Sequence, residues 1–148
     1  MGYIENNLLQ DEKIIYQTKV HYIIFLGPVL LLILSFIILF FRDIATGYLA
    51  HVIFFLGLTS LFFALIIYFT SEFTITNKRV VIKYGFLKRV TFEMNLEKIE
   101  EIQIEQTILG RILNFGTIII RGTGGTYQVF KGISEPIYFR NKIQTNFN

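Results

Sequence analysis

The residues able to do chemistry in this 148-residue sequence are few. The imidazoles are His21 and His51, at the beginnings of two successive apolar stretches. On antiparallel helices rising about 1.5 Å per residue their levels would stand about 30 Å apart, too far to share a metal or a haem. Both read as interfacial polar residues, so no Ser-His-Asp set is expected in the C-terminal half. There is no Cys, which excludes thiol nucleophiles, disulfides and Cys-ligated metals. Gly122-Thr123-Gly124-Gly125 lacks the Lys-Ser/Thr of a phosphate loop and reads as a hairpin turn. Glu97, Glu100, Glu101 and Glu105 cluster, but carboxylates along a strand edge ordinarily solvate it and block edge pairing. No catalytic residue, metal or cofactor is expected.

The cations carry more information. Between Glu72 and Asn95 the chain holds Lys78, Arg79, Lys83, Lys88 and Arg89 against Glu72 and Glu93. Such a set could attract an anionic membrane surface, where each nearby Lys or Arg gains about 1 kcal/mol, or an acidic partner. The same charges could equally be topology signals on solvated turns. The formal net charge of +3 does not call for nucleic acid.

What positions these groups follows from where the apolar residues lie. The chain is 53% hydrophobic and 17% charged, against roughly 25% charged in an average soluble domain. That excludes a disordered chain. The 22 residues Val20–Phe41 and the 28 residues Ile44–Ser71 contain no Asp, Glu, Lys or Arg. A membrane-spanning helix needs about 20 mostly apolar residues, so two spans are expected near Val20–Phe41 and Tyr48–Phe69. Nineteen mostly polar residues come first, and the apolar run exceeds the roughly 7–15 residues of a signal h-region, so cleavage is not expected. A short connection, Arg42–Gly47, makes the spans a hairpin. Lys13, Lys19, Lys78, Arg79 and Lys83 flank its open end and Arg42 its loop, which by the positive-inside rule puts both termini in the cytoplasm of a multi-pass inner-membrane protein. Gly57, Ser60 and Ala64 form a small-residue stripe, a candidate helix-packing seam, with Gly27 and Ser35 as candidates on the facing helix.

Beyond Ser71 the period changes to two. Phe73 and Ile75, then Val80, Ile82 and Tyr84, then Val90, Phe92 and Met94, then Ile102 and Ile104 alternate with polar residues between turn signals. Half-buried antiparallel strands have this signature. Thr107–Asn114 switches to helical spacing, and Thr117–Arg121 and Thr126–Lys131 read as a last hairpin. Ser134 reads as the N-cap of a C-terminal helix whose Pro136, Phe139 and Ile143 pack on the sheet. Lys13–Lys19 alternates as well and could add a strand at the sheet edge. The organisation expected is therefore an N-terminal arm (1–19), a transmembrane hairpin (20–71) and an α+β domain (72–148) built as one bent antiparallel sheet capped by a helix.

Ile75–Val80, Lys83–Leu87, Leu96–Ile102 and Gln106–Thr117, in this order after two spans, resemble the bacterial pleckstrin-homology-like membrane family, or membrane-flanked domain. The resemblance runs from about Glu12 to Ile143. It implies a PH-like barrel at the cytoplasmic membrane face and brings no catalytic motif. Larger members repeat the hairpin-plus-domain unit, so a single copy implies a membrane-protein partner or a homo-oligomer. Two functional classes follow. The first is a membrane-anchored binding module for anionic lipid or a membrane protein. The second is a small assembly subunit, which a continuous apolar patch would favour. An enzyme or transporter fits least, because the spans carry no ionisable residue besides the histidines.

Overall fold

The computed structural model describes residues 4, 7–41, 44–85 and 90–145. They form two compact units, one of residues 22–69 and one of the residues before 22 and from 70 on.

The first unit is helical. A 3-10 turn, Tyr22–Phe25, leads into α1 (Leu26–Leu39), and α2 covers Ile44–Thr70. The second helix starts earlier than expected: Ile44–Gly47, within the expected connection Arg42–Gly47, is its first turn. Arg42 and Asp43 lie outside the described residues. Both helices are apolar on every side, so hydropathy does not choose a face, and small residues mark the contact instead. Ala50, Gly57 and Ala64, spaced seven apart, are buried on α2, and Pro28 and Ser35 on α1. A Cβ on Gly57 would lie 3.0 Å from Leu32 Cδ2, which is how close the helices come there. Ser60 is half-buried beside this row. Gly27 has open space around it and is not part of the contact. The Ser35 hydroxyl is satisfied within its own helix, donating to the Leu32 carbonyl at 2.7 Å.

The second unit is built from strands. β1 (Ile14–Thr18), β2 (Glu72–Thr76), β3 (Arg79–Tyr84) and β4 (Val90–Asn95) form one antiparallel sheet in that order. β5 (Ile99–Glu105), β6 (Phe115–Gly122) and β7 (Tyr127–Ser134) form a second. The expectation of a single bent sheet is corrected to two. After β4 the chain turns through a 3-10 segment, Leu96–Lys98, whose buried Leu96 joins the core, and β5 starts a new ladder with β6. α3 (Ile108–Ile112) links β5 to β6, and α4 (Pro136–Thr145) follows β7. Its cap is not Ser134, which ends β7; Glu135 intervenes with a left-handed φ of 53°.

Alternate residues of both sheets meet α4 in one core. Phe73, Ile75, Val80 and Ile82 face Ile118, Ile120, Phe130 and Ile133, with Phe139 and Ile143 from α4 fully buried. The Phe130 ring lies 6.3 Å from Phe73 and 5.4 Å from Phe92, so it packs sheet to sheet. The half-buried reading fails for β2, because Thr74 and Thr76 on its other face are buried too.

The register defines two ends of this unit. At one, Thr18 pairs with Phe73, Glu72 with Lys83 and Tyr84 with Val90. At the same end Val20 bridges Ile133, and Phe115 pairs with Ser134. Asn77, Lys78 and Arg79 lie at the other end, with Arg79 opposite Asn95.

Candidate binding surface

Arg79 is held by several partners. Its Nε lies 2.9 Å from Glu12 Oε1 and its Nη2 3.0 Å from Glu12 Oε2, a two-pronged pair. Nη1 pairs with Glu93, and Nη2 also donates to the Asn7 carbonyl at 3.0 Å. The Glu12 side chain is fully buried. It also accepts the Thr76 hydroxyl at 2.8 Å and the Leu9 N–H at 2.6 Å. Burial pushes the Glu12 carboxyl up, but hydrogen bonds from Arg79, Leu9 and Thr76 with the Arg79 charge outweigh it and hold the group below its ordinary 4.5. The Glu12 hydrogen bond, ahead of the opposing burial, raises Arg79 in turn.

This end of the unit is therefore a clasp between the N-terminal arm and the β2–β3 turn. Asn77 closes it: its Oδ1 accepts the Lys13 N–H at 2.9 Å and its Nδ2 donates to the Asp11 carbonyl at 3.1 Å. Lys78 Nζ donates to the Gln10 carbonyl at 2.6 Å. Arg79 thus serves the fold, with only 14% of its side chain exposed. Lys83 is half-buried across from Glu72, at the other end from Lys78 and Arg79. Lys88 and Arg89 lie outside the described residues; Tyr84 and Val90, which flank their segment, pair at the Lys83 end.

His21 was expected at a membrane interface, apart from the strands. It belongs to the β unit. Its N–H donates to the Gly132 carbonyl at 2.7 Å, its ring stacks on Phe115 at 5.1 Å, and it is 4% exposed. Burial lowers its pKa, against a hydrogen bond to the Leu113 carbonyl that raises it. Among the described residues no three His, Asp or Glu side chains converge as a metal site would require.

Sequence reasoning missed the region beside His21. In α3, Ile108 is 77% exposed, Ile112 72% and Leu109 60%. Helical spacing here names a helix and not the direction of its apolar face, and the backbone is held so that these side chains point out. Thr107 caps the helix by accepting the Gly110 N–H at 3.1 Å, and Gln106 Nε2 donates to the Gly110 and Phe115 carbonyls. A Cβ on Gly110 would lie 2.6 Å from the Phe115 carbonyl oxygen, and one on Gly116 2.8 Å from that of Glu105, so only glycine permits this packing. Beside α3 runs an open groove of about 500 Å³ lined by Ile104, Glu105, Gln106, Arg111, Ile137 and Arg140.

The sequence model of one family, described as the bacterial PH domain, matches residues 21–145. This chain belongs to that family. No curated protein and no solved structure matches it. The bacterial PH domain match takes in both helices, six of the strands and α4, and starts after β1, although β1 pairs along the edge of the first sheet. Membership of the bacterial PH domain family indicates a non-catalytic binding module and no enzymatic class.

Proposed function

We propose that the chain is a non-catalytic, membrane-anchored binding module. In this reading Tyr22–Leu39 and Gly47–Thr70 cross the cytoplasmic membrane twice and both termini lie in the cytoplasm. The β unit is a PH-like barrel at the inner face that engages anionic lipid headgroups or a membrane protein. The observation that carries it is a coincidence of ends. The chain leaves the β unit at His21 and returns at Thr70, at the end where Glu72 pairs with Lys83 and where Tyr84 and Val90, on either side of Lys88-Arg89 in the sequence, pair. The excursion between is two helices of 18 and 24 strongly apolar residues that leave Phe36, Phe55 and Phe62 mostly exposed, as lipid contact requires. Lys83, Lys88 and Arg89 then carry the headgroup or partner contact, and Lys78 and Arg79 do not.

The test is made on the full chain. Reporters active only in the cytoplasm or only in the periplasm are fused in turn to Asn148; cytoplasmic activity is expected. The detergent-solubilised protein should retain anionic phospholipid over zwitterionic, and Lys83→Glu with Lys88→Glu and Arg89→Glu should abolish the preference. Undiminished retention in that variant would remove the lipid assignment.

The exposed apolar residues of α3 favour a second reading, an assembly subunit that meets a membrane protein or another copy of itself.

A further inference from the structure

We infer that α3 is an interfacial anchor. Ile108, Leu109, Ile112 and Leu113 enter the headgroup–acyl boundary of the inner leaflet, and Arg111 and Arg140 meet lipid phosphates at its rim. The inference rests on the membrane-anchored reading above and adds residues that reading does not use.

Four observations support it. The first is exposure. Ile108 and Ile112, and Leu109 and Leu113, are two i, i+4 pairs that make one apolar face, whereas an apolar surface of this kind on a soluble domain is normally covered. The second is rigidity. Gly110, Gly116, Gln106 and the Thr107 cap hold the turn by backbone contacts, and Asn114, at a left-handed φ of 58°, accepts the Glu135 N–H at 2.9 Å. The side chains are thus presented outward by a fixed backbone.

The third is location. His21 is the last residue before the apolar helices, and it stacks on Phe115 and hydrogen-bonds the Leu113 carbonyl. The C-terminal end of α3 therefore adjoins the point where the chain departs for the bilayer. His21, which this turn touches, is followed directly by Tyr22 and the first apolar helix, so a bilayer that takes up the helices is tied to the chain next to α3. The fourth is charge. Arg111 and Arg140 line the adjoining groove, with Glu105 the one carboxylate on its wall. Arg140 Nε is buried without a hydrogen-bond acceptor among the described residues. Apolar side chains with cations at the rim are the composition of segments that lie about 5–10 Å into the headgroup region. A protein partner could cover the leucines and isoleucines, but the position beside His21 favours the chain's own bilayer.

The chain lacks Cys, so single cysteines can report position directly. Leu109→Cys and Ile112→Cys are labelled with an environment-sensitive fluorophore in the full chain, one copy per nanodisc. Lys98→Cys in the β unit and Phe36→Cys in α1 serve as references. Discs contain phosphatidylcholine with or without phosphatidylglycerol. Positions 109 and 112 should show blue-shifted emission, quenching by lipid-borne doxyl groups and loss of quenching by aqueous iodide, in contrast to position 98. The shift should grow with phosphatidylglycerol, and Arg111→Gln with Arg140→Gln should cancel that growth. Water-exposed probes at 109 and 112 overturn the anchor. If position 36 is then still lipid-quenched, the membrane reading stands alone; if it too is water-exposed, that reading fails with it. Shielding that appears only with two copies per disc assigns the face to a second copy and also overturns the anchor.

Discussion

Glu12 and Arg79 stand 67 positions apart in the chain and meet as a two-pronged ion pair, with the carboxylate fully buried. The pair binds the N-terminal arm to the β2–β3 turn. A buried pair of this kind is costly to break by halves, because the partner left behind keeps its charge without its counter-ion.

Arg79→Met should therefore destabilise the β unit by about 3–5 kcal/mol. Glu12→Leu with Arg79→Met should cost much less than the sum of the two single changes. Arg79→Lys should recover only part of the loss, since an ammonium cannot serve both carboxylate oxygens in one plane. Chemical denaturation of the detergent-solubilised chain and a double-mutant cycle measure the coupling. Additive effects would mean the pair is not a unit.

Two pH windows follow from the depressed pKa values. Unfolded, His21 takes a proton below its ordinary 6.5; folded, its burial resists protonation, so stability is full above 6.5 and falls as pH descends toward the folded value. Glu12 acts likewise below its ordinary 4.5, because protonation forfeits the Arg79 contact. Between about pH 8 and about pH 3, which spans the reference His and Glu values, melting temperatures should decline in two stages. His21→Phe should flatten the upper stage and Glu12→Gln the lower.

At the helix contact, Gly57→Leu must displace Leu32 and should destabilise the hairpin by about 1–3 kcal/mol, the usual cost of overpacking. Gly27→Leu, which meets open space, is the control and should be near neutral. Thermal stability in detergent distinguishes them. Equal effects would place the seam elsewhere.

A polypeptide beginning at Glu72 lacks β1 and leaves the edge of β2 unpaired. It should be poorly stable, and adding a peptide of residues 7–21 should restore it by supplying both the strand and Glu12. A stable, monodisperse protein without the peptide would show that β1 is dispensable.

Much of the β unit is legible from local pattern. The alternation of Val80, Ile82 and Tyr84 and the spacing of Pro136, Phe139 and Ile143 depend on nearest neighbours, and the core contains Val80, Ile82, Phe139 and Ile143 as that pattern says. Ile14–Thr18 shows the same period and forms β1. What escapes the sequence is set by distant partners. Lys78 and Arg79 look like open cations because a sequence shows charge and not the carbonyl of Gln10 or the carboxylate of Glu12 that receives it. The outward exposure of Ile108 and Ile112 is not readable, because spacing defines a face but not its direction. The buried rear of β2, at Thr74 and Thr76, is likewise invisible to a period-two argument. In the helices, where every side is apolar, the pattern offers only the small residues Gly57, Ser60 and Ala64, and Ala50, one heptad before Gly57 and equally buried, carries no signal of its own beside His51.

The pairing of β1 with β2 also orders biogenesis. During synthesis the N-terminal strand leaves the ribosome first, yet its ladder partner follows only after both apolar helices: Thr18 waits for Phe73. Closing so long a loop before the helices have settled would cost chain entropy with no compensating contact. The first sheet can therefore be completed only after both helices have been synthesised. The Glu12–Arg79 clasp, which joins residues on either side of both helices, then marks a chain whose helices have been made and whose first sheet has closed.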